Sequence, residues 1–597
     1  MDRARETRAP SDRPRRTSEV WIRRVRLVIV VATLVGAAVA AALSLVSYET
    51  LKAHLDTFTV DRDADVTRAE FDAIVSRLRV LALGLVVLAG LLLVGGRRLD
   101  RMAGDVAHAW WQGLRAAPGA TRSFVADEQP LYVAGLGITV VVAAIVRIAF
   151  LDVPLRYDEA TTYNNFVSKP LYVGLAHYPL PNNHLLHTFL ANISVSTFGS
   201  AAWAIRLPAL LAGIALVPAT FALARVLYGR AAALLAAALV ASSSTLVEYS
   251  TNARGYTLVA LFTVIAFIAA TRVLLDDDSV GAWAVISFAG ALGLYAVPVM
   301  LYPLGGVLLW IFLSGVVAHA PRGRLLRRLG VCVASIAVLT LVLYAPVFAG
   351  SGIRSVTSNE YVEPQSWATF FDRVPDHVRD TYETWDRDLP LALSVVLLIG
   401  LAGGLALTPR LSRYPVPPLL ATIAWIVPVV VVQRVIPFTR VWLALVPLAL
   451  AAVAAFYGRL FERLPRSAVL VPVAAAGIAV GAAWAVVDAD SVRQSRETGA
   501  LLDAPAVAAF LARTVEPGDR IFATGSDTIL EYYLAQQGVD ARPSLYAADP
   551  RARTFLVVNL LGGQRLEHYL RELDPSLGRP ELLTRLRSAE VYLVEPA

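Results

Sequence analysis

Two adjacent carboxylates, Asp158 and Glu159, stand in the segment Leu155-Arg156-Tyr157-Asp158-Glu159-Ala160-Thr161-Thr162-Tyr163, just after an apolar run. An acid at the edge of a low-dielectric region is suited to take a proton from a hydroxyl during nucleophilic attack. If the stretch is helical the two side chains point about 100° apart, so only one of them faces a given ligand. The local alternative for such a pair is to complement the helix macrodipole from its first turn. Downstream, Ala176-His177-Tyr178-Pro179-Leu180-Pro181-Asn182-Asn183-His184-Leu185-Leu186-His187 holds three of the chain's eight histidines. His184 and His187 are spaced to share a helix face, which permits a divalent metal if a carboxylate arrives from elsewhere. None follows at ligand spacing, and hydrogen bonding is the plainer role.

A second group of chemistry-bearing residues is cationic. Arg147, Arg156, Arg206, Arg254, Arg434 and Arg440 lie at or near the ends of apolar runs, where a guanidinium is costly unless it snorkels, pairs or faces a wet cavity. Together they suit the phosphate of a lipid, held by bidentate hydrogen bonds. Arg147 and Arg434 read more simply as snorkelling anchors.

The elements that position these residues are set by composition. Of 597 residues, 56% are hydrophobic and 17% charged, the mean hydropathy is +0.58, and there is one cysteine. That excludes a soluble globular domain, a disulfide-stapled secreted domain and a disordered chain. A formal net charge of +7 comes from 54 basic and 47 acidic residues. The basic residues sit between apolar runs, as in cytoplasmic loops against anionic lipid, and form no continuous face for nucleic acid. Lys52 and Lys169 are the only lysines, which with the alanine excess suggests a GC-rich bacterial genome. Cys332 lies in an apolar run and reads as a small core hydrophobe. No cleavable signal peptide is evident, so the first run reads as an anchor.

On a span length of roughly 20 residues, thirteen runs qualify: 27–47, 80–96, 131–151, 203–224, 231–248, 255–274, 280–296, 298–317, 329–348, 389–408, 416–435, 439–457 and 467–487. The clusters Arg13, Arg15, Arg16, Arg23, Arg24 and Arg26; Arg97, Arg98 and Arg101; Arg225 and Arg230; Arg322, Arg324, Arg327 and Arg328; Arg410 and Arg413; and Arg459, Arg463 and Arg466 thread to one side, the cytoplasm. The acid-rich segment 349–388, with Glu360, Glu363 and Asp372, then faces outward. The predicted organisation is a cytoplasmic basic tail (1–26), two extra helices and a cytoplasmic linker (27–130), a transmembrane region (131–487) with outer loops 152–202 and 349–388, and an extracytoplasmic domain (488–597). The last reads as a small α/β unit, with a helix at 505–514 and strands at 520–524, 554–559 and 589–595. It has no Gly-rich phosphate loop or nucleophile elbow and reads as a cap over the membrane site. The fold class is therefore an all-α polytopic membrane protein with a small α/β C-terminal domain.

Asp158-Glu159 after an early span, Asn182-Asn183-His184, the run from Trp203 through Arg206 and Pro208 to Gly213, the run from Glu248 to Arg254-Gly-Tyr256, and Pro437-Phe-Thr-Arg440 with Pro447 resemble the GT-C membrane glycosyltransferases. The nearest type is the family 39 group of protein O-mannosyltransferases and aminoarabinose transferases, over about 130 to 460. The resemblance implies a GT-C helical bundle and inverting transfer of a sugar from a polyprenyl-phosphate donor to an acceptor hydroxyl on a glycan, lipid or protein, at the outer face of the cytoplasmic membrane. It implies Asp158, with Glu159, as the catalytic acids; Arg254, Arg206, Arg440 and Tyr256 at the donor phosphate; and Tyr163, Asn182, Asn183, His184 and His187 at acceptor or sugar. No cofactor is required, although a divalent metal is permitted. Where some relatives carry a His-Pro-Pro-type segment this chain has Asn182-Asn183-His184, which leaves sugar and acceptor open. The rival readings are a lipid or solute transporter, which favours inverted repeats and charges at the bilayer midplane, and a non-catalytic scaffold.

Overall fold

The computed structural model describes residues 13–55, 67–96, 98, 100, 126–276, 279–319, 321–357 and 362–597. Arg97, Arg101 and Glu360, residues 1–12 of the basic tail and most of the linker fall outside them, as do the side chains of 13–21. All thirteen expected runs fall on helices. Among the described residues ten helices are long and apolar enough to cross a membrane. The bent pair Arg230–Ser242 and Ser244–Ser250 makes an eleventh if taken as one span, and the expected runs 280–296 and 416–435 fall on shorter apolar helices, Val280–Ala296 and Pro418–Gln433. At Val297 the backbone is extended, which separates Val280–Ala296 from the following Pro298–Val317.

The bend is the departure from expectation that matters most. The run 231–248 is apolar throughout, yet its helix turns by 61° at Ser243. A break in a buried helix orphans carbonyl groups, and these need new donors. Arg147 supplies them: Nη1 donates to the Ala241 carbonyl at 2.8 Å and Nη2 to that of Val240 at 3.4 Å, while Nε reaches the Ser250 hydroxyl at 3.1 Å. Arg147 is fully buried and does not snorkel as expected. Gly213 makes room for the second half of the bend, since a Cβ there would meet Ser250 Oγ at 2.0 Å. The bend carries Glu248 and the loop behind it, with Arg254, to the end of the bundle where the Asp158 segment lies.

The C-terminal domain is a four-stranded sheet of order β1-β2-β4-β3: β1 Arg520–Phe522, β2 Thr554–Asn559, β3 Glu581–Arg585 and β4 Ala589–Val594. β1 and β2 are parallel, joined through helix Asp527–Gln536, and the other two pairs are antiparallel. Three strands and the helix Ala504–Thr514 match expectation. β3 and the helix at 527–536 are additional. The core of the domain, with Leu511, Ile521, Phe555 and Val591, is continuous with Leu155, Ala160, Ile205 and Ala253 of the membrane region. The domain is thus packed into the Asp158 segment and buries apolar surface with it.

Candidate functional site

Asp158 sits in the first turn of a short helix, Tyr157–Thr162, which passes into a π-helical turn at Tyr163–Val167. Its carboxylate is 14% exposed and meets three partners. Asn182 Nδ2 donates to Oδ1 at 3.1 Å, Arg254 Nη1 lies 3.2 Å from Oδ2, and Arg440 Nη2 lies 3.9 Å from the same oxygen. The residues come from four separate parts of the chain. Arg254 follows the bent helix, Arg440 rides on the 3₁₀ segment Thr439–Leu445, and Asn182 comes from the loop before helix Leu185–Phe198.

The arginines are held but not saturated. Arg440 Nε donates to the Tyr256 hydroxyl at 3.2 Å, and its guanidinium lies 4.0 Å above the Phe438 ring. Arg254 Nε and Nη1 are buried without a hydrogen bond in the protein, Nη1 having the Asp158 carboxylate as its ionic neighbour. Buried donors left open are costly unless something else takes them. Two guanidiniums with donors to spare, meeting at one carboxylate, make an anion site.

His184 closes the back of the site. Its Nδ1 accepts from the Gly255 N–H at 2.7 Å, Nε2 lies 3.3 Å from Arg254 Nη2, and the ring packs edge-on to Tyr256 at 5.0 Å. Gly255 is required here, because a Cβ would come within 2.8 Å of Val297 and 3.0 Å of the Ala296 carbonyl. Burial, reinforced by Arg254, holds His184 well below the ordinary imidazole value, and burial pushes His187 down to about 3. Both rings are therefore neutral at pH 7 and add no charge to the pocket. His187 is fully buried with neither nitrogen hydrogen-bonded. Among the described residues no group of three or more His, Cys, Asp or Glu side chains is arranged to hold a metal.

Four expectations change in the contacts these residues make. Glu159, expected beside Asp158 in the chemistry, is fully buried and faces away. Its oxygens accept from Arg206 at 2.8 and 2.6 Å, from the Ala253 N–H at 2.7 Å and from the Arg156 N–H at 2.9 Å. The last contact is one arm of a capping box, the local role for a first-turn acid. Burial alone would raise this carboxyl, but the charge and hydrogen bonds of Arg206 outweigh it and hold it below the usual range. Arg206, expected at a donor phosphate, is likewise used up. Besides Glu159 it donates to the carbonyls of Leu151, Val153 and Pro154, so all five of its N–H groups are taken. Asn183 spends its amide within its own loop, on the carbonyls of Gly174 and His177 and the Thr188 hydroxyl. Tyr163 turns to the C-terminal domain and packs edge-on against Tyr532 at 5.2 Å.

Residues that the motifs did not single out also converge here. Glu248 pairs with both Arg156 and Arg387, tying the Asp158 loop to helix Trp367–Asp386 and its neighbour Arg387. Glu497 accepts from Arg440 Nη1 at 2.9 Å and from the Tyr249 hydroxyl at 3.2 Å. Beside this network lies a cavity of about 1180 Å³, open at one side and lined largely by apolar groups such as Leu239, Phe370, Trp385, Val430 and Val453. Its wall includes Ser242–Ser244 at the bend and Pro437 and Trp442, which flank Arg440.

Residues 181–349 match the family model of the dolichyl-phosphate-mannose-protein mannosyltransferases. No curated protein matches the chain by sequence. The fold resembles the crystal structure of ArnT from Cupriavidus metallidurans in the apo state, at 15% identity and a TM-score of 0.53, over 79% of this chain and 98% of that one. ArnT bound to undecaprenyl phosphate aligns at 14% identity and a TM-score of 0.48, over 76% and 97%. AglB from Archaeoglobus fulgidus, in complex with an inhibitory peptide and a dolichol-phosphate, aligns at 14% and 0.43, over 67% and 63%. The fold of this chain is therefore ArnT-like over most of its length, and the family similarity lies within residues 181–349.

Proposed function

We propose that this chain is a glycosyltransferase that moves a sugar from a polyprenyl-phosphate-linked donor to an acceptor hydroxyl at the outer face of the cytoplasmic membrane, with inversion. One observation carries the reading: a carboxylate meets two guanidiniums, one of them with buried donors left open, and residues next to Arg440 in the chain line a large apolar cavity. The cavity suits a prenyl chain, and the guanidiniums suit the phosphate to which it is joined. The family matched by residues 181–349 is named for a dolichyl-phosphate-linked mannose, the same donor chemistry.

The geometry supports the following transfer. The acceptor oxygen attacks the anomeric carbon as the bond from that carbon to the phosphate oxygen breaks, and Asp158 takes the hydroxyl proton. The lipid monophosphate leaves with added negative charge, which Arg254 and Arg440 stabilise, assisted by the Tyr256 hydroxyl. Asn182 holds the other oxygen of Asp158 and fixes the direction of the carboxylate. His184 supports Arg254 from behind. In this reading the N-terminus is cytoplasmic and the sheet domain outside, which the distribution of basic loops supports.

Arg254→Ala is expected to raise the donor concentration needed for half-maximal transfer by about 10- to 100-fold, the loss of one charge-assisted phosphate contact of roughly 1.5–3 kcal/mol. Titration of synthetic polyprenyl-phosphate sugar against the purified protein in vesicles reads this, and an unchanged donor dependence would reduce Arg254 to packing. The leaving group is neutralised by guanidiniums, so transfer is expected to persist in excess chelator. Loss of activity restored by a divalent cation would return His184 and His187 to a metal-binding role. The envelope glycan or lipid that disappears when the gene is deleted identifies sugar and acceptor, and a deletion that changes neither would count against the reading.

A further inference from the structure

The segment Ser495 to Gly499, which joins the last membrane helix, Ser467–Ala489, to the C-terminal domain, wraps the Asp158 helix closely. The Tyr157 N–H donates to the Gly499 carbonyl at 2.9 Å and the Asp158 N–H to that of Thr498 at 3.3 Å. These are first-turn donors of a helix, which have no partner inside it. Arg156 Nη1 donates to the Glu497 carbonyl at 3.0 Å, and Asn252 Nδ2 to the Thr498 hydroxyl at 3.3 Å. To present its carbonyls this way the strap holds Thr498 at φ 65° and Gly499 at φ 72°. Thr498 is β-branched, a residue type for which the left-handed region is unfavourable, so surrounding contacts hold it there.

The strap carries one charged side chain into the site. Glu497 Oε1 accepts from Arg440 Nη1 and from Tyr249, while the other terminal nitrogen of Arg440, Nη2, faces Asp158. A guanidinium is planar, so fixing Nε on Tyr256 and Nη1 on Glu497 also fixes where Nη2 points. Glu497 and Asp158 thus hold different nitrogens of one fork.

We infer that Glu497 is a positioning residue for sugar transfer: it orients Arg440 from the C-terminal side, so that the strap of the sheet domain forms part of the active site. The inference rests on the reading of Arg440 as a phosphate-holding group. In this role Glu497 acts through Arg440.

The test compares Glu497→Gln, Arg440→Lys and the double variant as full-length protein in vesicles, with synthetic polyprenyl-phosphate sugar as donor. Glu497→Gln keeps an acceptor but not the charge. It is expected to lower kcat by about 10-fold with donor KM changed by less than about threefold, because a misaimed guanidinium costs most when charge develops on the leaving phosphate. Arg440→Lys keeps the charge and loses the fork. Adding Glu497→Gln to it is expected to cost less than about twofold more, since residues that act through one another are not additive. A residue that merely secures the strap would show a full additional loss in the double variant, and that result overturns the inference. Wild-type kcat in Glu497→Gln overturns it as well. If Arg440→Lys is impaired while Glu497→Gln is not, the donor reading stands and only this inference falls. Should Arg440→Lys behave as wild type, the phosphate-holding reading itself fails.

Discussion

Asp158→Asn is expected to lower sugar transfer by about 10³-fold, within the range that a positioned general base contributes, while the protein still inserts and folds. The side chains have nearly the same shape, and an amide oxygen still accepts from Asn182 where Oδ1 does now. Lost are the site for the acceptor proton and the charge facing Arg254 and Arg440. Asp158 is partly open to solvent, so leaving the two guanidiniums without it is less disruptive than breaking a fully buried pair. Single-turnover transfer from a synthetic donor in vesicles is the measurement, with melting temperature in detergent as the control. Transfer within a few-fold of wild type would remove Asp158 from the base position.

Glu159→Gln, one residue away, is expected to do the opposite: less folded protein, with whatever folds still active. The pair with Arg206 is fully buried, and removing one charge leaves the other in a low dielectric, at a cost of about 3–5 kcal/mol. One of the two backbone N–H groups that donate to Glu159 would also face an amide nitrogen, which cannot accept. The pH dependence has a definite sign. Because the carboxyl is held below its usual value in the folded protein, its contribution is fully present above the ordinary carboxylate range and is lost as pH falls through the lowered value. Thermal melts from neutral pH into the acid range should show wild type losing stability that the Gln variant never had. A Glu159→Gln protein as stable as wild type but inactive would reverse the division of labour between the two acids.

Span positions were legible because crossing a bilayer is a local property, set by an uninterrupted apolar stretch of sufficient length. The region of the site was legible for a related reason: ionisable groups at the ends of such stretches are costly, and therefore few. Asp158, Arg254, Arg440, Tyr256, Asn182 and His184 all lie at the convergence point. The edge strand Glu581–Arg585 was not legible, since it is short, largely exposed and lacks an apolar run. Nor was the bend at Ser243, because the stretch reads as one helix and the donors that stabilise the break come from Arg147, some ninety residues earlier.

By itself, then, the amino-acid order determined the membrane class, the helices, and a short set of acids and arginines at one end of them. Which of those groups remain available for chemistry was decided only by tertiary structure. Arg206 and Arg254 look alike as cations near span ends, yet one has every N–H taken by Glu159 and three carbonyls, and the other keeps donors open beside Asp158. Glu497 reaches Arg440 only once the C-terminal domain has packed onto the Asp158 helix. Hydrogen-bonding capacity is a property of a group together with its neighbours, and those neighbours lie tens to hundreds of residues away along the chain.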